Sequence, residues 1–177
     1  PTQRGFHATR GLFGGGGGRW WRDQVDWRGQ PITGYRGWVF QDDERNLFPD
    51  RGVGLTPDIS SQFADAAIEV IRTADDSPFF LQVCFTSPHD PLLMPPGYER
   101  RYSDDEIPLP QNYLPEHPFD HGNLRGRDEV LLPFPRTPEL VRRTVGIYYR
   151  VITHMDEQIG RILKALEDTG QAAHTIV

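Results

Sequence analysis

Apolar residues along the 177-residue chain fall into two kinds of pattern, separated by long polar or proline-rich stretches. Ile59, Phe63, Ala66, Ala67, Val70 and Ile71 recur at three-to-four spacing, which predicts a helix with one apolar face. Thr56 and Pro57 supply an N-cap and a first helical residue for it. A second and longer stripe comprises Tyr148, Val151, Ile152, Met155, Ile159, Ile162, Leu163 and Leu166. It opens at Thr137-Pro138 and stops at Gly170, a natural C′ residue. Between them, Phe79-Phe80-Leu81-Gln82-Val83-Cys84-Phe85 is almost continuously apolar, as in a strand buried on both faces of a parallel sheet. His174 to Val177 has the opening of a similar strand. Helix, strand, long connection, helix, strand is the order of an α/β architecture.

The remaining stretches carry little periodicity. Residues 1–55 are rich in Gly, Trp, Arg and Asp, with an unbroken run from Gly14 to Gly18 followed by Trp20, Trp21 and Trp27. Such a run suits either a flexible surface loop or a loop lining a cleft. Residues 86–136 contain repeated prolines, and a connection of that length is usually a lid or a binding excursion. The ends, Pro1 without an initiator Met and Val177 within a strand opening, read as truncations of a larger domain.

Charge and composition narrow the function. The formal net charge of −6, with arginines scattered, disfavours nucleic acid as a partner. No apolar run approaches the ~20 residues that span a bilayer, which disfavours a membrane-embedded chain. The single cysteine, Cys84, cannot form an internal disulfide, and its place in the apolar run predicts a buried structural thiol.

Candidate chemistry concentrates at the carboxyl end of the 79–85 run, where open α/β sheets bind ligands. There Thr86-Ser87-Pro88-His89-Asp90-Pro91 holds a histidine between two prolines, which limits its backbone freedom. An imidazole so placed can donate a hydrogen bond to an anionic ester or act as a general acid toward its leaving group. The plain alternative is a histidine satisfied by backbone carbonyls. His117 and His121, with Asp120 between them, have some metal-ligand character, but a solvated loop is the simpler reading. His154 and Asp156 flank the long apolar stripe and read as structural, and Asp42-Asp43 falls in a polar loop rather than at the end of an apolar strand. Arg125, Arg127 and Arg136 are either surface charges or readers of an anionic substrate.

Ser77-Pro78-Phe79-Phe80, Ser87-Pro88-His89-Asp90-Pro91 and Pro95-Pro96-Gly97-Tyr98 occur in the order and spacing of the sulfatase family of the alkaline phosphatase superfamily. Tyr148-Tyr149, Ile152-Thr153-His154-Met155-Asp156 and Gln158 to Leu163 resemble the family helix before its last active-site strand. The resemblance covers nearly the whole chain and implies an internal section, residues 1–177, of a sulfatase catalytic domain. The implied fold is an alkaline-phosphatase-like sandwich, with a mixed, mostly parallel sheet flanked by helices, and 14–50 and 92–136 as substrate-cleft loops. It implies hydrolysis of small-molecule or glycan sulfate esters by a formylglycine nucleophile and a Ca2+ ion, in a periplasmic or extracellular setting. His89 alone takes over a family role, contact with the substrate ester. The Cys/Ser-x-Pro-x-Arg motif and the metal-binding aspartates have no counterpart in residues 1–177, and Cys84 lacks the Pro and Arg that would follow a formylglycine precursor. A phosphodiesterase or phosphonate hydrolase of the same superfamily, and a non-catalytic binder of sulfated glycans, remain open alternatives.

Overall fold

A computed structural model describes residues 5–13, 23–32, 35–51, 53–74, 77–126 and 129–177. The Gly14–Gly18 run, Trp20, Trp21 and Arg127 lie outside the described residues. Two helices carry the architecture: α1, Ile59–Thr73, and α2, Pro138–Asp168. Two short strands, β1 (Arg10–Phe13) and β2 (Val39–Asp42), pair antiparallel, with Arg10 opposite Asp42 and Phe13 opposite Val39.

The long helix begins as its sequence predicts. Thr137 is extended, and its Oγ1 accepts from the Leu140 amide at 3.2 Å, with Pro138 in the first turn. At the far end Gly170 adopts φ +73, which a Cβ would disfavour. Its amide donates to the Glu167 carbonyl and the Gln171 amide to the Leu166 carbonyl, both at 2.9 Å, so two end carbonyls of the helix are satisfied by a Schellman turn. The start of α1 differs from expectation. Asp58, not Thr56, is the N-cap residue, without a side-chain cap bond. Thr56 is buried and its carbonyl accepts from the Ile59 amide at 3.1 Å, so it belongs to a tight turn leading into the helix.

The helices pack through Ile68 and Ile71 of α1 and Ala165 and Leu166 of α2, with Leu81 and Ile162 against them. A second cluster holds Leu55 and Ile59 beneath Tyr35, Trp38, Phe63 and Leu93. Phe40 of β2 is fully buried and meets Phe63 with ring centroids 6.2 Å apart, which docks the hairpin on α1. Gln171 Nε2 donates to the Ile71 carbonyl at 3.0 Å, joining the ends of the two helices. Among the described residues no helix is long and apolar enough to cross a membrane.

Three expectations need correction. Residues 79–85 make no ladder hydrogen bonds, and the sheet among the described residues is the β1–β2 pair rather than a parallel layer. Leu81, Val83 and Phe85 are half-buried while Phe80, Gln82 and Cys84 are exposed. That is an extended segment covered on one face only. The helix layer reaches one side, and a parallel neighbour would require a crossover that the described residues do not make. Cys84 is therefore exposed rather than a buried thiol. The second predicted strand is also absent: Ala172–His174 forms a 3-10 turn, and Ile176 and Val177 are exposed.

Candidate functional site

The turn after Phe85 sits over the start of α1 and the middle of α2. The His89 amide donates to the Thr86 carbonyl at 3.1 Å, closing the turn. Ser60, buried in the first turn of α1, donates its hydroxyl to Ser87 Oγ at 3.2 Å and ties the turn to the helix. A small crevice opens here, lined among others by Thr56, Thr86, Ser87, His89, Val151 and His154. Hydroxyls and two imidazoles thus meet around a crevice with room for about one water molecule.

His89 stands at the rim, its side chain 59% exposed. Its Nδ1 lies 2.7 Å from the Asp90 carbonyl oxygen and 3.1 Å from Asp90 Oδ1. The main-chain carbonyl oxygen can only accept, so Nδ1 carries the hydrogen. Neutral His89 then has its lone pair on Nε2, and imidazolium has an Nε2–H to give. No described residue engages Nε2. The backbone-carbonyl bond that the plain reading expects is present, but it occupies one ring nitrogen and leaves the other available.

His154 lines the same crevice and was not anticipated there. It is 7% exposed. Its Nε2 lies 3.2 Å from Ser61 Oγ, and its ring meets Tyr98 edge-on at 5.3 Å. Burial holds its pKa below the ordinary histidine value, with Glu157 and Asp58 opposing that shift. Beyond it, the Tyr98 hydroxyl donates to Glu157 Oε2, and burial followed by that carboxylate pushes the phenol up to about 12. Glu157 is in turn held low by the Tyr98 hydrogen bond and by Arg101, whose Nη1 is 2.9 Å from Oε1. Arg101 also lies over the Tyr98 ring at 4.6 Å.

This loop is anchored from below by Arg150, which is 6% exposed. Its Nε donates to the Arg101 carbonyl at 2.6 Å and its Nη2 to the Tyr102 carbonyl at 2.8 Å. Tyr102 has φ 56, a left-handed conformation that costs a side-chain-bearing residue free energy and persists only when its surroundings hold it.

The other singled-out residues do not join this site. His117 and His121 pack edge to face at 5.9 Å in an exposed loop, and the Asp120 carboxylate accepts from the Gly122 amide at 2.7 Å. Asp156 is exposed. Arg136 stacks over Phe134 at 4.4 Å, and Arg125 is exposed. Asp42 proves to be the last residue of β2, not a loop residue, yet its oxygens are engaged by the Asn46 amide and side chain, both at 2.9 Å. Asp43 pairs with Arg10 at 2.7 Å. Among the described residues no three His, Cys, Asp or Glu side chains converge on a point where a metal ion would sit. A resident calcium therefore does not fit the described residues of this chain.

The positions of His154 and Arg150 escaped sequence reasoning because both lie on the apolar stripe of a long helix, where a polar residue has no local mark of purpose. Asp90 was visible beside His89, and its adjacency alone did not reveal that it faces Nδ1.

Comparison with known proteins supplies the wider context. The arylsulfatase of Clostridium perfringens is 34% identical over 134 residues, covering 75% of this chain and 26% of that protein. Human iduronate 2-sulfatase is 30% identical over 137 residues, covering 70% of this chain and 25% of the relative. A multifunctional alkaline phosphatase superfamily protein, PehA of Trinickia caryophylli, is 24% identical over 183 residues, covering 82% of this chain and 35% of its own length. The chain thus spans about a quarter of the length of the first two. The family match itself, to Sulfatase, runs over residues 4–177. With that coverage, and with the ordered motifs around His89, the chain belongs to the sulfatase family and to its alkaline-phosphatase-like α/β class.

Proposed function

We propose that the protein hydrolyses sulfate esters and that His89 is its residue nearest the departing alcohol within this chain. The observation that carries the reading is the imidazole at the crevice rim, with Nδ1 saturated by Asp90 and Nε2 without a partner among the described residues. As the bond between sulfur and the ester oxygen breaks, that oxygen gains negative charge. Imidazolium His89 can hand it the Nε2 proton, which turns a poor leaving group into a neutral alcohol. The hydroxyls of Thr86, Ser87 and Thr56 line the same crevice and can accept from or donate to the substrate's polar groups.

The family resemblance extends to a formylglycine nucleophile and a Ca2+ ion, both of which we assign to parts of the full-length protein outside residues 1–177. No step is assigned to either group here, because the described side chains form no set that would hold them. A sulfate-ester substrate, small molecule or glycan, follows from the same reading.

The test is turnover by the full-length protein. Aryl sulfate hydrolysis is expected, with His89→Ala lowering the rate on the order of 10²-fold or more, the scale of a positioned acid. Unchanged rates in a folded His89→Ala protein would remove His89 from the reaction. Because the matched relatives include a multifunctional alkaline phosphatase superfamily protein, an aryl phosphodiester is the comparison substrate. Preference for the phosphodiester would move the assignment to phosphoester hydrolysis on the same crevice.

A further inference from the structure

Asp90 stands between Pro91 and the histidine it touches. Here both of its oxygen-bearing groups face one atom. The main-chain carbonyl is 2.7 Å and carboxylate Oδ1 3.1 Å from His89 Nδ1. The side chain of Asp90 is 29% exposed against 59% for His89, so the carboxylate is the more enclosed of the two. An exposed imidazole with a single carbonyl acceptor can swing away by rotation about its side-chain bonds. The Asp90 carboxylate oxygen, 3.1 Å from the same nitrogen, attracts the Nδ1–H and restricts that rotation. We propose that Asp90 is a positioning residue for His89, orienting the ring with its Nε2–H toward the ester oxygen of the substrate. This rests on the reading of His89 given above.

The alternatives elsewhere in the molecule carry less. The groove between the outer faces of α1 and α2 mixes Asp65, Arg72, Arg161 and Lys164 without a preferred sign. Trp27 lies between the guanidinium groups of Arg28 and Arg143, at 5.7 and 5.6 Å, but each arginine already has a carboxylate partner, Asp26 at 3.2 Å and Asp104 at 3.7 Å. Those contacts staple the segment around Trp27 to α2 and present no open cation.

The inference predicts a dependence on the leaving group that mere support of the turn would not produce. A nitrophenol leaves without a proton, whereas an alkanol needs one. In the full-length protein, Asp90→Ala is expected to lower kcat/KM for an alkyl sulfate by roughly 10-fold and to change that for 4-nitrophenyl sulfate by less than about 2-fold. Asp90→Asn keeps an acceptor oxygen for Nδ1 and is expected to recover most of the loss. Equal losses on both substrates would make Asp90 a structural residue only and overturn the proposal. No loss on either, with His89→Ala still strongly impaired, would overturn it while leaving the reading of His89 intact. No loss in His89→Ala would sink both together. A readout that needs no turnover is the nitrogen-15 spectrum of the histidine rings. Neutral His89 is expected as the Nδ1–H tautomer, and an Nε2–H tautomer would overturn the proposal irrespective of activity.

Discussion

Replacing Arg150 with methionine isolates the contribution of one buried cation to the geometry of the site. The substitution keeps the aliphatic stem that packs within α2 and removes the guanidinium. Two hydrogen bonds disappear, to the Arg101 carbonyl at 2.6 Å and the Tyr102 carbonyl at 2.8 Å, along with the more distant Asp104 contact at 3.9 Å. Bonds with one charged partner contribute about 1.5–3 kcal/mol each, which sets an upper limit near 6 kcal/mol. Two effects reduce it. Residues 101 and 102 are exposed, so water can take over at their carbonyls, and the mutant no longer bears the cost of keeping a guanidinium out of water. A net loss of about 2–3 kcal/mol remains, large against the ~5–15 kcal/mol that holds a domain folded. Urea unfolding of the full-length protein measures it, as a lowered midpoint at unchanged slope. Hydrogen exchange adds the local view: amides between 98 and 107 are expected to exchange faster, because Tyr102 at φ 56 loses the contact that holds it there. A loss under about 1 kcal/mol, with exchange unchanged in that loop, would refute Arg150 as the anchor.

Other perturbations probe the helices and the wall of the crevice. His154 is buried with its pKa depressed from the model-peptide value of 6.5, so the unfolded chain takes up a proton at a higher pH than the folded one. Its contribution to stability is therefore complete above that value and is lost as the pH falls toward the folded value. A pH series of urea midpoints below neutrality should be flatter in His154→Asn than in the parent protein, and an identical slope would remove His154 as the titrating group. Thr137→Ala deletes the cap on α2 and should cost ~1 kcal/mol by the same unfolding assay, with Thr137→Ser near neutral. Ile71→Ala empties a site that is 1% exposed between the helices and should cost about 2–5 kcal/mol. A cost below 1 kcal/mol there would show that the helix pair closes over the gap.

Helix α2 was legible from sequence to the residue, at Thr137 and at Gly170, because its caps and stripe are local patterns set by backbone hydrogen bonding. The β1–β2 pair was not. Its strands are four residues each, joined only by pairing between positions such as Arg10 and Asp42, and so short a run has no readable period. Thr56 imitated a helix cap because Thr-Pro suits that position, yet its carbonyl closes a turn one step earlier. For the site, His89 could be singled out from its flanking prolines. Its meeting with His154, sixty-five positions away, around one crevice depends on how α2 crosses α1, and no local pattern encodes a crossing. The apolar run at 79–85 was read as a strand enclosed on both faces, whereas among the described residues it joins no ladder. Its composition suits two covered faces, while the described residues cover one.

That uncovered face has a practical consequence. From Phe79 to Phe85 there is no charge, no proline and no glycine, and the backbone donors and acceptors are not used by a ladder. Such a stretch is a template on which a second copy can align edge to edge, the starting step of β-type aggregation. Pro78 and Pro88 bracket it as gatekeepers, stopping register from extending past either end, but nothing within the window resists stacking. A polypeptide of residues 1–177 should therefore lose solubility with rising concentration, and a charged residue at Phe80, the most solvent-facing ring of the run at 79% exposure, is the single change best placed to prevent it.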